Sequence, residues 1–217
     1  MNKVLASKWT KVVLFLLGLA PLGYLFWRGL NASHQRQPDL TANPIEYITH
    51  FTGDWTLRFL LITLAVTPLR WLLNRPQVTR FRRMLGLYAF FYGILHLTVW
   101  IWLDKNFDTG EMYTDIFKRK FITVGMLGLL LMAPLAITST AGWVRRMGFA
   151  RWQRLHRLVY FSAAAGVVHY YWLVKSDIRL PLMYGAILAA LLARRVPVWL
   201  KSGKRKPAPK RVQGAAI

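Results

Sequence analysis

The sequence predicts an all-α integral membrane protein, a bundle of six transmembrane helices with both termini cytoplasmic. Three observations carry this. Hydrophobic residues fill 55% of the 217 positions, charged residues only 18%, and mean hydropathy is +0.29; a soluble domain of this size carries more charge. Apolar runs close to the ~20 residues a helix needs to cross a bilayer recur six times. The basic residues are blocked: 21 of the 30 Lys and Arg fall in Lys3–Lys11, Arg70–Arg83, Arg145–Arg157 and Arg194–Arg211, and no acid lies in any of these blocks.

The spans, in order, are about 12–27, 52–73, 84–103, 121–141, 158–174 and 180–200. The first follows Lys3, Lys8 and Lys11; no small-residue cleavage site comes after it, so it reads as a retained helix. The second is headed by HFTGDW and the third by the Arg70–Arg83 block. The fourth follows Lys118-Arg119-Lys120, the fifth begins after Arg157, and the sixth ends among the C-terminal basic residues. The four acid-free blocks stand at the N-terminus, between spans two and three, between four and five, and after six. The positive-inside rule makes all of them cytoplasmic, and six helices then alternate without conflict. Lys118-Arg119-Lys120 is the one basic cluster on the outer side; Asp104, Asp108, Glu111 and Asp115 partly offset it. Residues 1–200 therefore read as a single membrane domain. Residues 201–217 read as a disordered cytoplasmic tail, a basic anchor on anionic lipid.

A net charge of +22 would suggest nucleic acid in a soluble chain. Here the alternation with all eight acids reads as topology, and no nucleic-acid partner is expected. Cysteine is absent, which excludes disulfides and thiolate ligands. A metal would need His, Met, Tyr or carboxylate. No repeat, phosphate-binding glycine motif or zinc-type spacing occurs, and there is no room for a soluble nucleotide domain.

Polar groups in hydrocarbon must find partners, so the histidines at or inside the helices are functional candidates. His96 lies twelve residues into the third span, roughly 18 Å from its cytoplasmic end. His169 reaches a similar depth in the fifth. Two such helices could present opposed imidazoles to one flat cofactor, as in bis-histidine b-type haem; unrelated histidines bonded to neighbouring helices are the alternative. His156 lies at the cytoplasmic edge of the fifth span. Thirteen residues at about 100° each leave it facing roughly 220° away from His169, unless a kink near Gly166 intervenes. The third-span positions opposite it are Arg82 and Arg83, which do not ligate iron. It reads either as an interfacial residue or as an inner ligand or electron-entrance group. His50 opens the second span, and His34 lies in the loop before it. Arg58, within the second span, is spaced i, i+4 from Asp54. Either it meets a haem propionate or it snorkels, paired with Asp54. Ten tryptophans and nine tyrosines, many near span ends, read as an interface belt.

The segments NPIEYITHFTG, ITLAVTPLR, RRMLGLYAFFYGILHL, AITSTAG and WQRLHRLVY…HYYW occur in this order. They resemble the MsrQ (formerly YedZ) family, the haem-binding membrane subunits of the bacterial periplasmic methionine sulfoxide reductase system. The resemblance runs from about Asn43 to Leu192. That family sits within the ferric-reductase-like transmembrane group, which includes NADPH oxidases. The resemblance implies a b-type haem protein of the bacterial inner membrane, with one haem or two. It implies a periplasmic molybdopterin-containing catalytic subunit as partner, which reduces methionine sulfoxide in oxidised proteins. Electrons would come from the quinone pool or a cytosolic flavin reductase, and flavin mononucleotide (FMN) is a further expected cofactor. The family's haem histidines match His96, His156 and His169. Arg82 and Arg83 stand where the oxidases' inner third-helix ligand would be, and the oxidases' fused flavin and nicotinamide domains are missing. On this basis a flavin phosphate or an acidic reductase is expected to dock on Arg80, Arg82, Arg83, Arg151 and Arg154, although positive-inside topology alone also explains those charges. A ferric or quinone reductase of the same group, and a cofactor-free transporter, are the competing readings.

Overall fold

A computed structural model describes residues 7–35 and 42–195. Among them the regular structure is helical. The helices are α1 (Lys8–Gln35), α2 (Pro44–Leu72), α3 (Arg82–Val99), α4 (Thr109–Lys118), α5 (Lys120–Ile137), α6 (Ala141–Met147), α7 (Phe149–Leu155), α8 (Leu158–Leu173) and α9 (Arg179–Ala193). A 3₁₀ turn over Pro76–Phe81 leads into α3, and a π-helical turn over Trp100–Asp104 extends it. Each predicted span overlaps one helix, α1, α2, α3, α5, α8 or α9, the last two only 16 and 15 residues long. Four stretches are long and apolar enough to cross a bilayer: Lys8–Ala32, Pro44–Leu72, Pro76–Asp104 and Lys120–Ile137. Residues 196–200 of the sixth predicted span, and the predicted tail 201–217, lie outside the described residues. So does the side chain of His34.

Local chemistry explains the helix ends. Asn43 caps α2, accepting from the Glu46 backbone N–H at 3.2 Å, with Pro44 in the first turn. Asp108 caps α4 by accepting from Glu111 N–H at 2.9 Å, directly after Asn106 and Phe107 adopt positive φ. Thr140 caps α6. Gly148, at φ 76°, makes the break between α6 and α7.

α2 packs mainly on α3, α5 on α8, and α9 on α8 and α2. The core between them includes Leu57, Leu60, Leu64, Ala89, Met132 and Ala163. Large side chains such as Phe15, Phe26, Leu130 and Phe161 stay exposed on the outside, as a lipid-facing surface requires. Two prolines are matched by side chains from other helices. Pro68 cannot donate to the Leu64 carbonyl, and buried Arg195 donates to it instead, Nη2 to O at 2.6 Å. Near Pro21, the buried Tyr92 hydroxyl donates to Gly18 O at 2.9 Å and accepts from Leu22 N–H at 3.1 Å. It thus inserts between groups that a regular helix would join directly.

Candidate functional site

The half of the bundle that carries α4, the outer half in the expected topology, encloses a cavity of about 600 Å³, well within the range of small-molecule and cofactor sites. Its apolar floor includes Leu57, Leu60, Leu129 and Met132. Its outer rim carries Asn43, Glu46, His50, Asp104 and Arg119. His96 from α3 and His169 from α8 face each other across it, with ring centroids 6.1 Å apart and planes at 82°.

Each imidazole is oriented by a backbone carbonyl. His96 Nδ1 lies 2.9 Å from Thr49 O, and His169 Nδ1 lies 2.6 Å from Phe121 O. A carbonyl only accepts, so each Nδ1 carries the proton and each Nε2 keeps its lone pair. This is the arrangement that fixes metal-binding histidines. Two imidazole nitrogens each about 2 Å from a metal held between them would place their ring centroids about 6 Å apart. The observed separation matches that span.

Room for the rings comes from glycine. A Cβ on Gly125 would sit 2.6 Å from His169 Nδ1, and one on Gly53 would sit 3.1 Å from the His96 ring. A side chain at Gly125 would displace the imidazole, and one at Gly53 would crowd it. Beyond His96, α3 passes into the π-helical turn, whose Trp100 and Asp104 also line the cavity.

The other expected site residues lie elsewhere. His156 is the C-cap residue of α7, outside α8, so it does not share a helix with His169 and the rotation argument falls away. The Thr138 hydroxyl donates to Pro134 O at 2.6 Å and lies 3.1 Å from His156 Nε2. With its single proton committed, Thr138 accepts from His156, which places the proton on Nε2. The ring lies over Trp152 at 3.9 Å, and Trp152 Nε1 donates to Thr138 O at 2.9 Å. Burial, and then the nearby Arg82 charge, lower the His156 pKa to about 4. Arg58 does not line the cavity. Its Nε donates to the Tyr184 hydroxyl at 2.9 Å, its Nη2 pairs with Asp54 at 3.3 Å, and its guanidinium lies over Trp55. Asp54 does line the cavity, so Arg58 stands one residue behind it. On the inner side Arg83, Arg151 and Arg154 are exposed, as is Arg80, which donates to Ser7 O. Arg82 is half-buried, within electrostatic reach of Arg195 and Tyr160.

Sequence reasoning missed the rim. Lys105 is buried and pairs with Asp115 at 2.7 Å, Glu111 at 2.7 Å and Asp104 at 3.4 Å. Burial opposes its charge, but the bonds to Asp115 and Glu111 outweigh this and its pKa is raised. Lys105 and its three acids were visible in the sequence. Their convergence depends on the turn at Asn106 and Phe107.

An apolar helical bundle with two backbone-anchored imidazoles opposed across a cavity defines a class: membrane proteins fitted to hold a planar, metal-centred cofactor. Comparison with known proteins narrows it. Residues 52–167 match the family described as ferric reductase like transmembrane component. Three similar proteins are each named protein-methionine-sulfoxide reductase heme-binding subunit MsrQ. The one from Herminiimonas arsenicoxydans is 51% identical, over 89% of this chain and 88% of the relative. Those from Caulobacter vibrioides (50%; 85% of each chain) and Bordetella pertussis (47%; 87% and 89%) are similar to a like degree. The chain belongs to the MsrQ family within the ferric-reductase-like transmembrane group.

Proposed function

We propose that this chain is a b-type haem electron-transfer subunit of the bacterial inner membrane. It takes electrons from the quinone pool or a cytosolic flavin reductase. It passes them to a periplasmic molybdopterin-containing subunit that reduces methionine sulfoxide in oxidised proteins. The observation that carries this reading is the opposed pair His96 and His169, each with Nε2 unprotonated and Nδ1 bonded to a carbonyl. Haem supplies one-electron iron chemistry, and the protein sets its ligands, burial and surrounding charge.

In this reading six helices span the membrane with both termini cytoplasmic, in keeping with the four acid-free basic blocks. His96 and His169 hold one haem in the outer half, near the periplasmic partner. Arg58 acts on it through Asp54. His156 stands on the side where electrons enter, with its Nε2 engaged by Thr138 and the Arg82 charge within electrostatic reach. The inner arginines are the docking place for FMN or the flavin reductase. Methionine sulfoxide reduction itself takes place on the separate periplasmic subunit.

The test is stopped-flow spectroscopy of the purified protein in nanodiscs. After reduction by quinol or flavin reductase, the haem bands should reoxidise on adding the catalytic subunit with methionine sulfoxide. Haem that is reduced normally but never reoxidised by that subunit would contradict the proposed partner.

A further inference from the structure

We propose that Arg119 is the side chain that holds the carboxylate edge of the cofactor at the outer mouth of the cavity. The inference rests on the haem reading above, because the ligand group is an anionic propionate. It reassigns a basic cluster that otherwise looks like a misfit to the membrane topology.

The cavity has two unlike ends. Its floor is aliphatic and its rim is polar, which matches a ligand with an apolar body and a charged edge. The rim is already acidic: Glu46, Asp54 and Asp104 all line the cavity. Further carboxylates placed there would meet like charges, so a cation is required. Apart from the two opposed histidines, the basic side chains lining the cavity are His50 and Arg119. Lys105 is committed to three acids. Arg58 is held behind the wall by Tyr184 and Asp54.

Arg119 is also held in position. It occupies the extended junction between α4 and α5, at φ −104° and ψ 96°. Its Nε contacts Asp115 at 2.9 Å, and Asp115 is in turn locked by Lys105 at 2.7 Å. One edge of the guanidinium is thereby fixed. Its two Nη nitrogens have no protein partner among the described residues. A planar guanidinium fork matches a carboxylate, which a lysine ammonium in the same place would meet only as a point charge. Two residues further on, the Phe121 carbonyl orients His169. One short segment thus sets both a ring and the cation beside it.

The test uses the haem-loaded protein in detergent, with the wild type compared with Arg119→Gln, Arg119→Lys and Arg58→Gln. Redox titration at several pH values reads the midpoint potential, and transfer to an acceptor protein reads the rate of haem release. Arg119→Gln should lower the potential, because loss of a nearby positive charge favours the ferric form. It should also move the pH-dependent part of the potential to higher pH, since the propionates lose the charge that keeps them ionised. Haem release should quicken severalfold. Arg119→Lys should restore most of the potential but not the slow release. Arg58→Gln should have the smaller effect on all three readouts. An unchanged potential and pH profile in Arg119→Gln would overturn the proposal, and so would a larger effect from Arg58→Gln. A wild type that binds no haem would overturn both this proposal and the reading it rests on.

Discussion

The outer and inner halves of the bundle each contain imidazole, but they use it differently. In the outer half His96 and His169 stand opposed over a cavity, each tied through Nδ1 to a carbonyl and each offering Nε2. In the inner half His156 donates through Nε2 to Thr138, lies against the tilted Trp152 ring and is within electrostatic reach of Arg82. The charges differ as well. Three acids, Glu46, Asp54 and Asp104, line the outer site, whereas the four basic blocks contain no acid. The surrounding protein thus engages different ring nitrogens, Nδ1 of His96 and His169 but Nε2 of His156; in the proposed reading a ligand needs a free Nε2 and a second ring facing it.

Substitutions in each half separate the two environments. The largest effect is expected at Lys105, whose removal would leave buried Asp115 with Arg119 alone as its cation. Lys105→Met should destabilise the outer segment by about 3–5 kcal/mol, seen as a lower thermal unfolding midpoint. Next is Arg195→Met in the inner half. It strips the Leu64 carbonyl beside Pro68 of its donor, and should cost about 2 kcal/mol while sparing the outer-site spectrum. Gly125→Ala should lower haem affinity on the order of 10-fold, because the new Cβ pushes His169 off its carbonyl. Haem titration would measure that loss; full affinity in this variant would mean that the Gly125 contact does not set the ring. The smallest effect is expected from Thr138→Val. It should cost about 1 kcal/mol through the lost hydrogen bonds and leave the outer site's absorption unaltered.

The apolar helices were legible because hydrocarbon thickness imposes a length on a spanning helix, and four of them are long and apolar enough to cross a bilayer. The His96 and His169 pairing was legible because depth follows from residue rise along α3 and α8. What holds those rings was not. Thr49 and Phe121 act through backbone carbonyls, which carry no side-chain signal, and Gly125 matters only once α5 meets α8. Arg58 shows the limit of spacing arguments. Its i, i+4 partner Asp54 was correctly visible, but whether it borders the cavity depends on how α2 is rotated against α9. The short helices α4, α6 and α7 escaped notice because none is a long apolar run. With α4 went the reason for Arg119, which in the sequence is simply a basic residue on the wrong side.

The central claim is that His96 and His169 together, without His156, hold haem in the outer half. Quantifying bound haem and its absorption spectrum in the His96→Ala, His169→Ala and His156→Ala variants, purified side by side, tests this most directly. The outer-site haem band should be lost in the first two variants and kept in the third. An outer-site band that survives His96→Ala or His169→Ala unchanged, or that disappears in His156→Ala, would contradict it.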